Sequence, residues 1–181
     1  MNERLWTFAG GAQGAWLITA IRAVKGATLP SATHLAIANG ESAAAGTWAL
    51  QGVTSNERYT EQAEKQRLLA VQQGLHRPGS TCAALIPIRK SAAWWVLTQQ
   101  ERRDILETRS RHIEIGLRYL PPIARRLHHC RDLAAVQPFD FLTWFEFAPA
   151  DAAAFDALLA ALRETPEWDY VEREVEVRME R

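Results

Sequence analysis

The 181-residue chain has little cysteine, with only Cys82 and Cys130. Two cysteines exclude a disulfide framework or a zinc site built from Cys pairs, and leave reduced, partly buried thiols as the expected state. Charge of one sign is not in excess either, at 21 Lys+Arg against 21 Asp+Glu. That balance gives no reason to expect nucleic acid or an acidic membrane surface as a partner, so an anion must be drawn by local charge. Long apolar runs are missing. The best N-terminal stretch, 15–21, stops at Arg22 and is too short to span a bilayer, and no basic segment leads into it. A soluble, cytoplasmic protein is expected. The glycines of GGAQGAW lack the GxGxxG and GxxxxGK spacings of a phosphate loop, so a hairpin turn is expected there.

Hydrophobic residues make up 48% of the chain, with seven tryptophans, enough for a globular interior. Segments 5–9, 15–24 and 47–53 read as strands punctuated by glycine. A helix is expected over 57–73, with Thr54 and Glu57 at capping-box spacing and Gly74 as its stop. A buried strand follows over 81–88. In the next helix Thr98 and Glu101 repeat the capping-box spacing, and periodicity runs through Ile105, His112, Gly116 and Tyr119 until Pro121 and Pro122 break it. Segment 139–147 (FDFLTWFEF) is the clearest strand, with Phe139, Phe141, Phe145 and Phe147 on one face and Asp140, Leu142, Trp144 and Glu146 on the other. Asp151 then caps a helix with a Phe155, Leu158, Leu159, Leu162 stripe, which Pro166 ends. The closing strand, 170–179, is read with Val171, Val175 and Val177 inward and Glu172, Glu174 and Glu176 outward. Together these elements indicate an α+β, ferredoxin-like architecture.

His112 shares its helical face with Ile105, Gly116 and Tyr119. A neutral imidazole on an apolar wall suits a haem iron, and Gly116 removes a side chain where a flat macrocycle would approach. From position alone, a hydrogen-bonded core histidine is the more common occupant of such a site. Arg125 follows the proline break, which lets the chain redirect so that the two residues address opposite faces of one planar group. A guanidinium there is a permanent anion clamp, although Arg126 competes, one of the two being an ordinary solvent-facing charge. His128, His129 and Cys130 do not converge on one ion if the segment is helical, since neighbours point about 100° apart. They are read as structural, as are His34 and His76. Glu167 is either a solvated carboxylate at a helix end or the acceptor for a metal-bound imidazole. Lys90 is placed to pair with a carboxylate or a propionate, the Trp94–Trp95 pair either to wall a macrocycle or to fill an ordinary core, and Arg58 and Tyr59 are candidates for propionate contacts.

The segments SATHLAIA, AALIPIRKSAAWW, TQQERR, SRHIEIGLRYLPPIARRLHHCRD, PFDFLTWFEFAP and TPEWDYVEREVEVR run from about residue 31 to the end. Together they resemble the chlorite dismutase family of haem proteins, in its short dimeric lineage. The resemblance implies a dimeric α+β barrel with a reduced N-terminal half (1–90) and a haem-carrying half (91–181) in one compact unit. It implies one haem b per subunit, His112 as iron ligand, Glu167 as hydrogen-bond partner of that histidine, and Arg125 on the opposite side. Lys90, Trp94 and Trp95 would lie on the His112 side, with looser matches for Arg58 and Tyr59 near the propionates. The implied reaction turns chlorite into chloride and dioxygen, forming the O–O bond. Alternatives are a coproheme decarboxylase or peroxidase of the same superfamily, and a haem-binding or cofactor-free barrel with a sensing or regulatory role. The short chain and the IARRL arginine favour the first reading.

Overall fold

Strict alternation along a few strands, each buried on both faces, decides the architecture. The protein, here a computed structural model, is described over residues 4–40, 46–54, 58–119 and 121–181. Its strands are β1 (Leu5–Gly11), β2 (Trp16–Lys25), β3 (His34–Asn39), β4 (Trp48–Thr54), β5 (Cys82–Lys90), β6 (Ala124–His129), β7 (Phe141–Phe147) and β8 (Val171–Glu180). They close into an antiparallel barrel in the order β1-β3-β2-β8-β5-β7-β6-β4. The helices are α1 (Gln62–Val71), α2 (Ala92–Trp95), α3 (Gln99–Arg103), α4 (His112–Tyr119) and α5 (Ala152–Arg163). Among the described residues no helix is long and apolar enough to cross a membrane.

Strand β5 sends Ala83 and Leu85 into the barrel, where they meet Phe8, Trp16, Leu35, Leu142, Trp144, Val175 and Val177. Its alternate residues Ala84, Ile86 and Ile88 face outward onto Phe145, Phe155, Leu158, Leu159 and Leu162. Both faces are dry, which is why β5 reads as a near-continuous apolar run. Helix α5 carries the expected stripe, and every member of it is buried. Asp151 occupies the cap position of α5 but its side chain makes no capping bond.

Several expectations are corrected. GGAQGAW does not turn a hairpin, because β3 lies between β1 and β2 in the sheet. Gly14 instead lets this connection pass against β3; a Cβ there would lie 2.2 Å from the Leu35 carbonyl. Thr54 ends β4, bonded to Arg4, and so does not cap a helix; Glu57 lies outside the described residues. The helix starts later, where the Glu64 carboxylate accepts the Glu61 N–H at 2.8 Å. Segment 98–119 is not one helix: α3 passes into a π-helical turn over 104–109, then Arg111 takes a left-handed φ of 53° before α4 starts at His112. The Thr98–Glu101 capping box does form. Phe139 precedes β7 and joins the barrel core, leaving Phe141, Thr143 and Phe145 on the outer face. Glu174 and Glu176 are buried, not outward, because α5 lies over that face of β8 and Arg163 binds both carboxylates.

Phe155 has no exposed surface and packs at 4.5 Å from Phe147 and 5.0 Å from Phe145, ring centre to ring centre. Phe155→Ala is expected to lower stability by about 3–5 kcal/mol through lost transfer energy and a residual cavity. Urea unfolding of the purified variant checks this, the expectation being a lower midpoint with an unchanged slope.

Candidate active site

A cleft opens between the outer face of the β5-β7-β6 sheet and helices α4 and α5, enclosing roughly 1280 Å³ including its mouth. Its wall is largely apolar, with Ile86, Ile88, Leu127, Phe145, Leu158 and Leu162 among the lining residues. His112 enters from the first residue of α4 and Arg125 from β6. The sheet register explains why Arg125 faces the cleft. Arg125 pairs with Phe145, Leu127 with Thr143 and His129 with Phe141, so these six side chains share one face. The main chain at Arg125 is held by Gln72, whose Nε2 donates to the Arg125 carbonyl at 2.9 Å.

Alternation sends Arg126 and His128 the other way. Arg126 is therefore not a solvent-facing charge: its guanidinium lies 3.7 Å from the centre of the Trp6 ring and its Nε donates to His128 Nε2. His128 Nδ1 in turn donates to the Leu142 carbonyl, and burial holds this histidine down to about 4. His128 is structural, as expected. His129 is not confined to the core, however, because it belongs to the cleft wall. The helical reading of this segment obscured that; the period-2 pattern Arg125, Leu127, His129 was the available signal.

The site is organised around Glu167, which sits in the short turn between α5 and β8 at 4% exposure. One carboxylate oxygen accepts from Lys90 Nζ at 2.8 Å, the other lies 2.6 Å from His112 Nδ1. The Glu167 N–H donates to Ser110 Oγ at 2.9 Å, tying this turn to the residue two before the histidine. Ile113 N–H donates to Glu107 and so steadies the start of α4. Burial would raise the Glu167 carboxyl, but the charges and hydrogen bonds of His112 and Lys90 outweigh it and hold it down to about 2. Lys90 Nζ lies 4.5 Å from the centre of the Trp94 ring and 5.5 Å from that of Trp168, and the Trp168 ring stacks near-parallel to the His112 imidazole. Trp168 was not anticipated as part of this wall; its place directly after Glu167 was the only hint.

Arg58 and Tyr59 line the same cleft. Arg58 forms a two-point ion pair with Asp132 at 2.6 and 2.8 Å, and the Tyr59 hydroxyl accepts from Arg102. Trp94 lines the cleft, but Trp95 does not. The Trp95 ring stacks on Phe141 with the guanidinium carbons of Arg131 and Arg102 4.0 and 5.0 Å from its centre. Successive residues of α2 diverge by about 100°, so both indoles cannot face one cavity.

This donor set suits a flat, ligated prosthetic group. No group of three or more His, Cys, Asp or Glu is placed to hold an ion among the described residues, so a lone imidazole needs a macrocycle to supply the other ligands. With Nδ1 committed to Glu167, Nε2 is the nitrogen left for a metal. Among the described residues, a Cβ added at Gly116 would meet nothing within 4 Å, and the buried Trp94 Nε1 has no hydrogen-bond partner.

The chlorite dismutase sequence profile matches residues 17–179. The chain belongs to the chlorite dismutase family. A dimeric chlorite dismutase from Nitrobacter winogradskyi is 55% identical, with a TM-score of 0.91 over 97% of this chain and 99% of that one. The chlorite dismutase of Candidatus Nitrospira defluvii in complex with imidazole is 24% identical at a TM-score of 0.60, over 82% of this chain and 57% of that one, a likeness of fold. Ideonella dechloratans chlorite dismutase is 36% identical over 88 residues; the match spans 49% of this chain and only 28% of that relative's length.

A carboxyl that is more acidic in the folded than in the unfolded chain stabilises the fold above its ordinary value of 4.5. That contribution is lost as pH falls from there through about 2. Urea unfolding of the cofactor-free protein should lose stability across this window. Glu167→Gln should be less stable at pH 7 by about 3–5 kcal/mol, since Lys90 is left buried without its counter-charge, and should show a smaller loss on acidification.

Proposed function

We propose that the protein is a haem b enzyme, a chlorite O2-lyase, that converts chlorite to chloride and dioxygen. The observation that carries this reading is the buried Lys90–Glu167–His112 chain in the same cleft that receives Arg125. Chlorite becomes chloride and dioxygen with no proton consumed and no net change of charge, so the residues need not deliver a proton. They would have to hold the iron, attract a small anion and keep water out.

His112 would hold the iron through Nε2. Glu167, accepting from Nδ1, fixes the orientation of the ring and gives the ligand imidazolate character, which favours oxidised iron. Lys90 balances the buried carboxylate, so the electron-donating character is set by two partners rather than one. Trp94 and Trp168 flank Lys90 and shield it from water. The haem supplies the redox chemistry at chlorite when bound. Arg125 supplies a permanent positive charge in an apolar cleft, where Coulomb attraction for chlorite is far stronger than in water. The same charge would hold the anion in the cleft, away from bulk water. Thr143 and the apolar side chains of β5 and β7 close the rest of this wall.

The four strands β8-β5-β7-β6, threaded as β-α-β-β-α-β, support reading this part as a ferredoxin-like unit. We place the haem in that unit, which takes β5 from the expected reduced half (1–90) and joins it to the expected haem-carrying half (91–181) in one body. The enzyme acts as a homodimer with one haem per subunit, a reading supported by the near-complete overlap with a dimeric relative. The unpaired Cys82 and Cys130 fit a reducing cytoplasm.

Loading the purified protein with haemin and following oxygen release after chlorite addition tests this function. Haem-loaded protein that consumes chlorite without releasing dioxygen overturns it. His112→Ala should lose haem affinity by an order of magnitude or more. Arg125→Ala should keep haem but lose about tenfold in rate or working lifetime; unchanged turnover and lifetime would remove the anion-clamp role.

A further inference from the structure

His129 lines the cleft, and the proposed function does not use its chemistry. It is 1% exposed, and neither ring nitrogen has a hydrogen-bond partner among the described residues. A buried imidazole left in this state forgoes both a donor and an acceptor bond, a cost of a few kcal/mol unless something else completes it. Its neighbour His128 shows the contrast. Equally buried and one residue away, His128 has both nitrogens satisfied inside the barrel. The difference lies in the face of β6 each occupies: His128 points into the closed interior and His129 into the wall of the cleft.

The surroundings of His129 restrict what could complete it. Phe141 packs edge-on against the ring at 5.4 Å between centres, an apolar neighbour. Arg58 and Asp132 are the nearby charges, and they are spent on one another. Burial first, then the Arg58 charge, hold His129 down to about 4 against a weaker opposing pull from Asp132. At neutral pH the ring is therefore an uncharged donor with one N–H. Beside it stand the Arg58 guanidinium and, in the same cleft, the unpartnered Trp94 N–H. The His129 N–H and the positive charge of Arg58 line this part of an otherwise apolar wall. That combination suits an anionic oxygen carried on a largely apolar body.

We propose that His129 donates a hydrogen bond to a carboxylate on the rim of the bound tetrapyrrole, on the side of the cleft where Arg58 sits. This inference rests on the haem reading and names a residue that reading leaves idle. His129 would thereby fix the in-plane rotation of the macrocycle: a carboxylate bound at this end of β6 leaves Arg125, four residues away along the strand, over a different part of the ring.

The test compares haemin with haemin dimethyl ester, whose rim carboxylates are esterified. Affinities are measured by fluorescence quenching of the cofactor-free protein, and unfolding curves establish that each variant folds. His129→Phe preserves volume and packing, and should bind haemin about tenfold more weakly than the parent. His129→Gln retains a donor and should stay within about threefold of the parent. All three proteins should bind the dimethyl ester equally. Undiminished haemin affinity in His129→Phe overturns the proposal, and so does an equal loss for haemin and its ester, which would mark a packing role. If the parent itself fails to bind haemin, the cofactor reading falls and this inference with it, an outcome separate from the other two.

Discussion

A carboxylate with almost no access to water has to be neutralised, and the site is built to do that for Glu167. Its counter-charge, Lys90, ends β5; its second partner, His112, opens α4; its main chain is tied to Ser110. These contacts cross 77, 55 and 57 residues of sequence. None of the three partners can shift without leaving a charge or a polar group buried and unmatched, which is far more costly than any single packing contact. The carboxylate therefore locks the end of β5, the histidine helix and the turn after α5 into one geometry. The left-handed Arg111 and the π-helical turn before it are the local backbone departures that bring the imidazole to that carboxylate.

The second organising constraint is the two-sided sheet. Strands β5, β6 and β7 each separate a closed barrel interior from an outer face that α4 and α5 cover incompletely. Where cover is complete, the outer face is an ordinary core around Phe155. Where it is not, the same apolar surface becomes the wall of a cleft, so the cavity is an extension of the hydrophobic core rather than a separate device. Polar groups on these strands are sorted by parity. Arg126 and His128 are absorbed in the barrel, whereas Arg125 and His129 reach the cleft.

Much of this was legible in the amino-acid order. The α5 stripe, the Thr98–Glu101 cap, the apolar run of β5 and the alternation of β7 are local patterns that burial then respects. His112, Glu167, Lys90, Trp94 and Arg125 were singled out by residue type and by resemblance, and the cleft gathers all five. The errors have a common physical origin. Segment 124–129 carries no apolar rhythm in its basic and histidine residues, and a helical reading of it sets His129 aside as structural and leaves open which of Arg125 and Arg126 faces solvent. Glu174 and Glu176 were placed outward because carboxylates usually are; Arg163, on a different element, makes their burial tolerable. Trp95 was paired with Trp94 because the two are adjacent, although adjacency on a helix turns side chains apart. The strand β3, which separates β1 from β2, left no signal in the turn that joins them.

By itself the sequence determined what is local: many of the segments that form strands and helices with a buried face, and which side chains are of the type a single-histidine site with a fixed cation needs. Periodicity and residue type act over a few residues, and so does their information. Only the tertiary structure decided which of those side chains meet. Neutralising Glu167 needs partners from three distant segments, and strand pairing, not composition, chose whether a given arginine or histidine of β6 faces the barrel or the cleft. Both outcomes depend on long-range burial, where the cost of an unmatched charge is set by everything packed around it.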